Sequence, residues 1–376
     1  MIPYSGLLFF YVMGLLLLPA VVLGVMEKPI KHYGLVFTIA MLVFVFWGSG
    51  QVAALVMFYL WQTLLCMIFF RMCGRTRLTL RVFVTLSILP ILAVKIGEVF
   101  APLGFLQLLG ISYMTFRCVQ VLLDTYDGKL TQLRLIYLSY FLLFFPSVSA
   151  GPIDRCRRFF DDLDRSLSRE EYLALMSRGI WRLTNGALWS IVISGLIHEL
   201  WLEILPAQGF LATISYMYGY TLFLFFNFAG YTSMAIGTAY ILGVRLPENF
   251  DMPFLSVDMK DFWSRWHMSL SLWLRDYVYN RFVKSCLKAK RFKTPRTASY
   301  IGYFLTMTLM GAWHGFTPAF LVYGAYHGVL LAINEALDLR WKRFRQIKRG
   351  RGQVVCAVVT FHLFSFGLLI FSGRIL

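Results

Sequence analysis

Residues Phe262 to Asp276 read FWSRWHMSLSLWLRD, two arginines, a histidine and an aspartate set among tryptophans and leucines. Phe262, Trp266, Trp273 and Tyr277 recur near helical spacing, and such an aromatic face suits the headgroup region of a bilayer. Asp261 precedes Arg265 by four residues, the favourable order for a helical ion pair. The residues alone read as an amphipathic helix lying at a membrane interface. His267 is the residue which that reading explains least, because an ionisable group at membrane depth marks function more often than packing.

Outward from this stretch the chain is apolar. Of 376 residues, 59% are hydrophobic and only 15% charged, well below the charged share of an ordinary soluble domain. Apolar runs of roughly 15 to 25 residues follow one another almost without pause, so about ten or eleven membrane segments fit. The expected architecture is an all-α polytopic membrane protein forming one domain over residues 1–376, with no soluble domain and a cell-membrane location. The net charge of +17 does not point to nucleic acid. Its basic residues fall in clusters between apolar runs, at 71–81, 284–296 and 340–351, as the positive-inside rule expects of cytoplasmic loops. Six scattered cysteines, with no CxxC pair and no histidine at ligand spacing, suggest neither a disulfide framework nor a metal site.

The first apolar stretch has no basic residue before it and positive charges after it, at Lys28 and Lys31. That order reads as a retained helix with its N-terminus outside. Residues 33–70 hold two spans around Gly48–Gln51, and 82–122 another pair broken near Ala101–Gly104. Within that pair, Lys95 and Glu98 lie on one helical face and compensate each other. Leu135–Ser149 is about half a span and runs into Pro146 and the segment Ser149-Ala150-Gly151-Pro152-Ile153-Asp154-Arg155. A full crossing would put Arg155, Arg157 and Arg158 on the wrong side, so the expectation is a re-entrant segment, shielded by protein and walling the site. His198 beside Glu199 reads as interfacial. Residues 299–338 form a hairpin between two basic loops with Trp313-His314-Gly315 at its turn. From Arg296 to His314 is roughly 27 Å of helix, so His314 lies at membrane depth or just below the outer surface. A final span over 353–372 leaves the C-terminus outside.

His314 is flanked by Gly311, Ala312 and Gly315, which allow close approach of another backbone. A neutral imidazole there can accept a hydroxyl proton during acyl transfer. Buried polar residues and broken helices also suit a transporter, but the internal repeats expected of one are absent from the sequence.

Taken together, Phe262-Trp263-Ser264-Arg265-Trp266-His267 through Arg275-Asp276-Tyr277, followed by Met310-Gly311-Ala312-Trp313-His314-Gly315, resemble the signature of the membrane-bound O-acyltransferase family. Two further segments, Gly110-Ile111-Ser112-Tyr113-Met114-Thr115-Phe116-Arg117 and Ser149 to Arg155, are similar to those of the branch that D-alanylates teichoic polymers. The resemblance covers nearly the whole chain. It implies re-entrant segments and helices around a central funnel or tunnel, His314 as catalytic residue and His267 as its companion. It places Trp263, Arg265, Trp266, Ser269, Arg275, Asp276, Trp313, Asn227, Gly151, Pro152 and Asp154 along the substrate tunnel or in its support.

The resemblance also implies a donor: D-alanine as a thioester on the phosphopantetheine arm of an acidic D-alanyl carrier protein, arriving from the cytoplasm. No cofactor is bound tightly, since the carrier supplies the arm. The basic residues Lys284, Lys288, Lys290, Arg291 and Lys293 suit docking of such a carrier. The acceptor is a hydroxyl of an envelope polymer, reached through a downstream envelope D-alanyl transfer protein, with membrane lipids as surroundings. An O-acetyltransferase of an exopolysaccharide such as alginate is the other enzymatic expectation. Asn227 stands where the D-alanylating branch usually has an aspartate.

Overall fold

The computed structural model describes residues 3–100, 110–348, 350 and 352–376. The break expected near Ala101–Gly104 and the Glu98 side chain expected to pair with Lys95 lie outside the described residues. All regular structure among the described residues is helical, as a hydrocarbon layer demands, because a helix satisfies its own backbone polar groups where water cannot.

The helices are α1 (Leu7–Val25), α2 (Lys31–Phe46), α3 (Val52–Arg71), α4 (Arg77–Phe100), α5 (Ile111–Tyr126), α6 (Leu135–Leu143), α7 (Phe145–Val148), α8 (Cys156–Asp164), α9 (Arg169–Leu202), α10 (Phe210–Ile241), α11 (Met259–Arg265), α12 (Met268–Leu274), α13 (Asn280–Lys288), α14 (Pro295–His314), α15 (Pro318–Arg340), α16 (Lys342–Ile347) and α17 (Gln353–Phe371). Seven of them are long and apolar enough to cross a bilayer: α1, α3, α4, α9, α10, α15 and α17. The ten or eleven segments expected from the apolar runs include α2, a shorter apolar helix of 16 residues, and α6 and α7, which are too short to cross. The spanning helices turn apolar side chains outward, with Leu7, Leu15 and Leu60 each more than half exposed, as lipid contact requires.

The chain packs as two compact units. The first comprises Met1–Ile191 and Phe228–Pro247, the second Val192–Asn227 and Glu248–Leu376. In the first, α9 and α10 touch backbone to backbone at two levels. A Cβ at Gly186 would stand 2.6 Å from the Gly230 carbonyl oxygen, and one at Gly179 2.8 Å from that of Gly237. The two pairs are seven residues apart on each helix. Small residues at such crossings let dispersion contacts hold membrane helices that gain nothing from hiding apolar surface.

The half-span over 135–149 folds as two short helices, α6 and α7, and its free backbone groups are met by one side chain. Arg117 of α5, 1% exposed, donates from Nη1 to the carbonyls of Phe141 (2.7 Å) and Leu142 (3.0 Å), and from Nη2 to the carbonyl (2.9 Å) and hydroxyl (2.7 Å) of Ser147. Gly110, at φ 87°, lets the start of α5 pass the same turn, where a Cβ would meet the Val148 carbonyl oxygen at 2.7 Å. The two segments with D-alanylating resemblance are thus one packing unit.

In the second unit the hairpin of α14 and α15 is the tightest contact. A Cβ at Gly311 would lie 2.2 Å from the Phe320 carbonyl oxygen, and one at Gly324 2.4 Å from that of Met307. Gly324→Leu is therefore expected to destabilise the purified protein by roughly 1–3 kcal/mol or more. Gly14→Leu, where nothing lies within 4 Å, serves as the neutral comparison. The check is the thermal midpoint of each detergent-purified variant, and equal midpoints would show that the hairpin tolerates separation.

Candidate active site

The FWSRWH stretch is not one amphipathic helix. Helix α11 ends at Arg265, His267 takes a left-handed conformation at φ 44°, and α12 starts at Met268. The break is held by the neighbouring segment Asn249 to Asp251: Phe250 forms an isolated bridge with Trp266, Asp251 N–H donates to the Arg265 carbonyl (3.0 Å), and Met268 N–H to that of Asn249 (2.9 Å). The Asn249 side chain accepts from Ser269 N–H at 3.1 Å, which defines the supporting role of both residues. Nor is the aromatic face interfacial. Phe262, Trp263, Trp266, Trp273 and Tyr277 are all buried, because the break turns them into the protein. Spacing alone could not foresee a left-handed histidine, a conformation that an L-residue adopts only under tertiary constraint.

The expected Asp261–Arg265 ion pair forms, at 2.8 Å, and Asp251 adds a second carboxylate 3.6 Å from the same guanidinium. Arg265 is thereby fixed as a brace. Asp258 caps α11 by accepting from Asp261 N–H (2.9 Å) and also binds Lys348, which lies 2.5 Å from Asp338. Although burial pushes the Asp258 carboxyl up, the Lys348 ammonium holds it below the usual carboxylate range.

His314 ends α14, half-buried at the hairpin turn. Its ring meets the edge of Phe371 (centroids 4.9 Å, interplanar angle 89°), lies against Trp313 at 4.5 Å and faces Tyr323 at 6.4 Å. His267, 6% exposed, has its ring 6.5 Å from the Trp313 indole. The structure therefore gathers His267, Trp313 and His314 in one aromatic setting. Burial first, and then the neighbouring His314, push the His267 imidazole down to about 3, so it is neutral at physiological pH and can orient a group by hydrogen bonding without carrying charge.

Sequence reasoning passed over His327. It is fully buried in α15, and among the described residues neither ring nitrogen has a hydrogen-bond partner. Its ring is edge-on to Trp263 (5.2 Å, 87°) and to Tyr323 (4.7 Å, 76°), and so links the motif tryptophan to the residue facing His314. A histidine within the apolar run of 318–340 was the available signal.

Beside α11 and α12 opens a cavity of about 300 Å³, lined by Lys260, Trp263, Ser271, Arg275, Thr306 and Met310 among others. Its walls are mainly apolar, and the Trp263 indole N–H and Thr306 hydroxyl are buried with no hydrogen-bond partner among the described residues. Arg275 pairs with Asp276 at 3.0 Å where the helix passes through a π-turn over Arg275–Tyr279, a distortion common at functional sites.

Asn227 is exposed and its amide reaches Ser194 Oγ at 3.5 Å. Gly151, Pro152 and Asp154 belong to the first unit. Gly151 has φ 83° and sits against the Tyr113 ring. Burial raises the Asp154 carboxyl, opposed by Arg158, whose Nε donates to it at 2.8 Å. His198 bonds not to its neighbour Glu199 but to Glu203, one turn on, at 3.2 Å. Lys284, Lys288, Lys290, Arg291 and Lys293 are all exposed, on α13 and the loop after it. No cluster of metal-ligating side chains occurs among the described residues.

A teichoic acid D-alanyltransferase of Bacillus subtilis is 41% identical across 100% of this chain and 98% of its own, and one of Streptococcus thermophilus 33% identical across 99% and 95%. A probable alginate O-acetylase of Pseudomonas syringae is 33% identical over 71% of this chain but only 49% of its own. The model of the membrane-bound O-acyltransferase family matches residues 29–372. With a histidine at the turn of a glycine-packed hairpin and a second at the break of the tryptophan motif, this multi-pass membrane chain belongs to the membrane-bound O-acyltransferase family.

Proposed function

We propose that the protein moves D-alanine from the thioester of a phosphopantetheinyl carrier protein to a hydroxyl on the path to teichoic acid or a related envelope polymer, in the cytoplasmic membrane. The observation that carries this reading is the pairing of His314 and His267 around Trp313, together with end-to-end similarity to D-alanyltransferases. The alginate O-acetylases match only part of their length, which favours D-alanyl over acetyl donors.

In this mechanism a nitrogen of His314 takes the proton of the acceptor hydroxyl, whose oxygen attacks the thioester carbonyl. The C–S bond breaks, an ester forms, and the pantetheine thiol leaves with the proton that His314 returns. His267 orients the reacting groups. The cavity beside Trp263, of about 300 Å³ and with mainly apolar walls, receives the pantetheine arm, whose amide carbonyls would find donors in the Trp263 indole and Thr306 hydroxyl. The exposed lysines and arginine of 284–293 steer the acidic carrier to the cytoplasmic face.

Two measurements test the proposal. Proteoliposomes given D-alanyl carrier or acetyl donors should transfer only D-alanine, and acetyl transfer at equal rate would overturn the donor assignment. Reversing charge at Lys284, Lys288, Lys290, Arg291 and Lys293 should weaken carrier binding, and wild-type binding should weaken with salt, since exposed charges are screened beyond about 8 Å at physiological ionic strength. Binding indifferent to both changes would move docking to an apolar surface.

A further inference from the structure

In the first unit a cavity of about 470 Å³ opens between the loop after α5 and helix α8. Its polar wall is formed by Lys129, Gln132, Arg134, Tyr137, Arg157 and the carboxylates Asp161 and Asp164. Most of these charges are already matched. Lys129 is held by Asp124 (3.5 Å) and Asp127 (3.3 Å), and Asp164 by Lys31 (3.0 Å) and the Tyr137 hydroxyl. Arg134 and Arg157 are less closely held: among the described residues neither has a carboxylate within ion-pair distance, although Lys31, Arg158, Arg165 and Arg245 of the same unit all do, and Arg134 acts on Asp164 only at longer range. Arg134 is instead laid over the Tyr137 ring, 5.4 Å from its centroid, which restricts its guanidinium to the cavity's rim. Over the residues that line the cavity, three bases (Lys129, Arg134 and Arg157) against two carboxylates (Asp161 and Asp164) leave one net positive charge.

The neighbouring surface is apolar. Leu135 and Ile136, directly after Arg134, are 53% and 47% exposed at the start of a helix that runs into the membrane. The basic residues on either side assign this end to the cytoplasm. A charged cavity at the membrane surface that continues into bare aliphatic side chains matches a molecule with an anionic head and hydrocarbon tails.

We propose that this cavity binds the headgroup of an anionic phospholipid of the cytoplasmic leaflet, its phosphodiester held between Arg134 and Arg157 and its acyl chains lying along Leu135 and Ile136. One phosphodiester carries one negative charge, equal to the excess on the rim, and two guanidinium forks suit its oxygens. A zwitterionic lipid would bring its own cation against arginine and gain less. The proposal does not depend on which acyl group His314 transfers.

The test uses the full chain purified in maltoside micelles and native mass spectrometry with equal dioleoylphosphatidylglycerol and dioleoylphosphatidylcholine. The wild type should retain phosphatidylglycerol preferentially. Each arginine removed, in Arg134→Gln and Arg157→Gln, should lower that preference by about fivefold, while Asp161→Asn should raise it, a gain that a merely structural role does not provide. Should the double glutamine variant fail to fold, Arg134→Lys with Arg157→Lys keeps the charge and should keep most of the preference. Unchanged selectivity in folded glutamine variants would overturn the proposal. So would loss of the bound lipid to 10 mM inorganic phosphate (on the order of the concentration at which a weak free-phosphate site fills), because the cavity would then be a site for soluble phosphate.

Discussion

Cells carrying His314→Ala are expected to lose ester-linked D-alanine from their envelope polymer, with transfer in proteoliposomes falling about 10²–10⁴-fold, the range that a positioned general base contributes. Folding should survive. His314 is half-buried and its ring makes contacts with Trp313, Phe371 and Tyr323, so truncation forfeits aromatic contacts worth roughly 0.5–1.5 kcal/mol each at most. His314→Gln retains a planar polar side chain but cannot shuttle a proton at neutral pH, and should be as inactive as alanine. A structural role predicts the opposite ranking, with glutamine rescuing what alanine loses. The measurement is alkali-released D-alanine per unit of membrane protein, alongside the thermal midpoint of each purified variant. Near-normal D-alanine in a well-expressed alanine variant would remove His314 from the chemistry.

The turn at His314 was legible in the sequence because basic loops flank 299–338 on both sides and imply a hairpin; the structure ends α14 at His314 itself. Hydropathy likewise exposed the short segment at 135–149, since half a span between charged ends permits few geometries. What periodicity could not reveal was the break at His267. Its cause lies in the backbone of Asn249 to Asp251, and a 3.6-residue pattern carries no information about a backbone paired from outside. The interfacial reading of the tryptophans failed for the same reason: spacing tells which residues share a face, not which surface that face meets. His327 was visible but overlooked, one imidazole in an apolar run whose importance depends on Trp263 and Tyr323 arriving around it.

Arg117 is where sequence and fold constrain each other most, and its replacement should have the larger effect on folding. In Arg117→Leu, three carbonyls and one hydroxyl lose their donor at once, those of Phe141, Leu142 and Ser147. The turn between α6 and α7 cannot satisfy them internally, because a helix of nine residues followed by one of four leaves its terminal carbonyls free. Burial denies them water. Each unsatisfied buried group costs about 1–3 kcal/mol; the guanidinium's own desolvation penalty is relieved, so a net loss of about 3–5 kcal/mol is expected, as when one side of a buried charged contact is removed. Arg117→Lys should fall between, since one ammonium can reach some of these acceptors but lacks the planar fork that spans Phe141 to Ser147. Arg178→Leu provides the comparison, because Arg178 is exposed and solvent replaces its hydrogen bond to the Ala174 carbonyl. Fluorescence-detected size exclusion should show Arg117→Leu largely aggregated or absent, Arg117→Lys reduced and Arg178→Leu near wild type. If Arg117→Leu elutes and melts like the wild type, the backbone of 141–147 has another source of donors, and the half-span does not depend on Arg117 for its support.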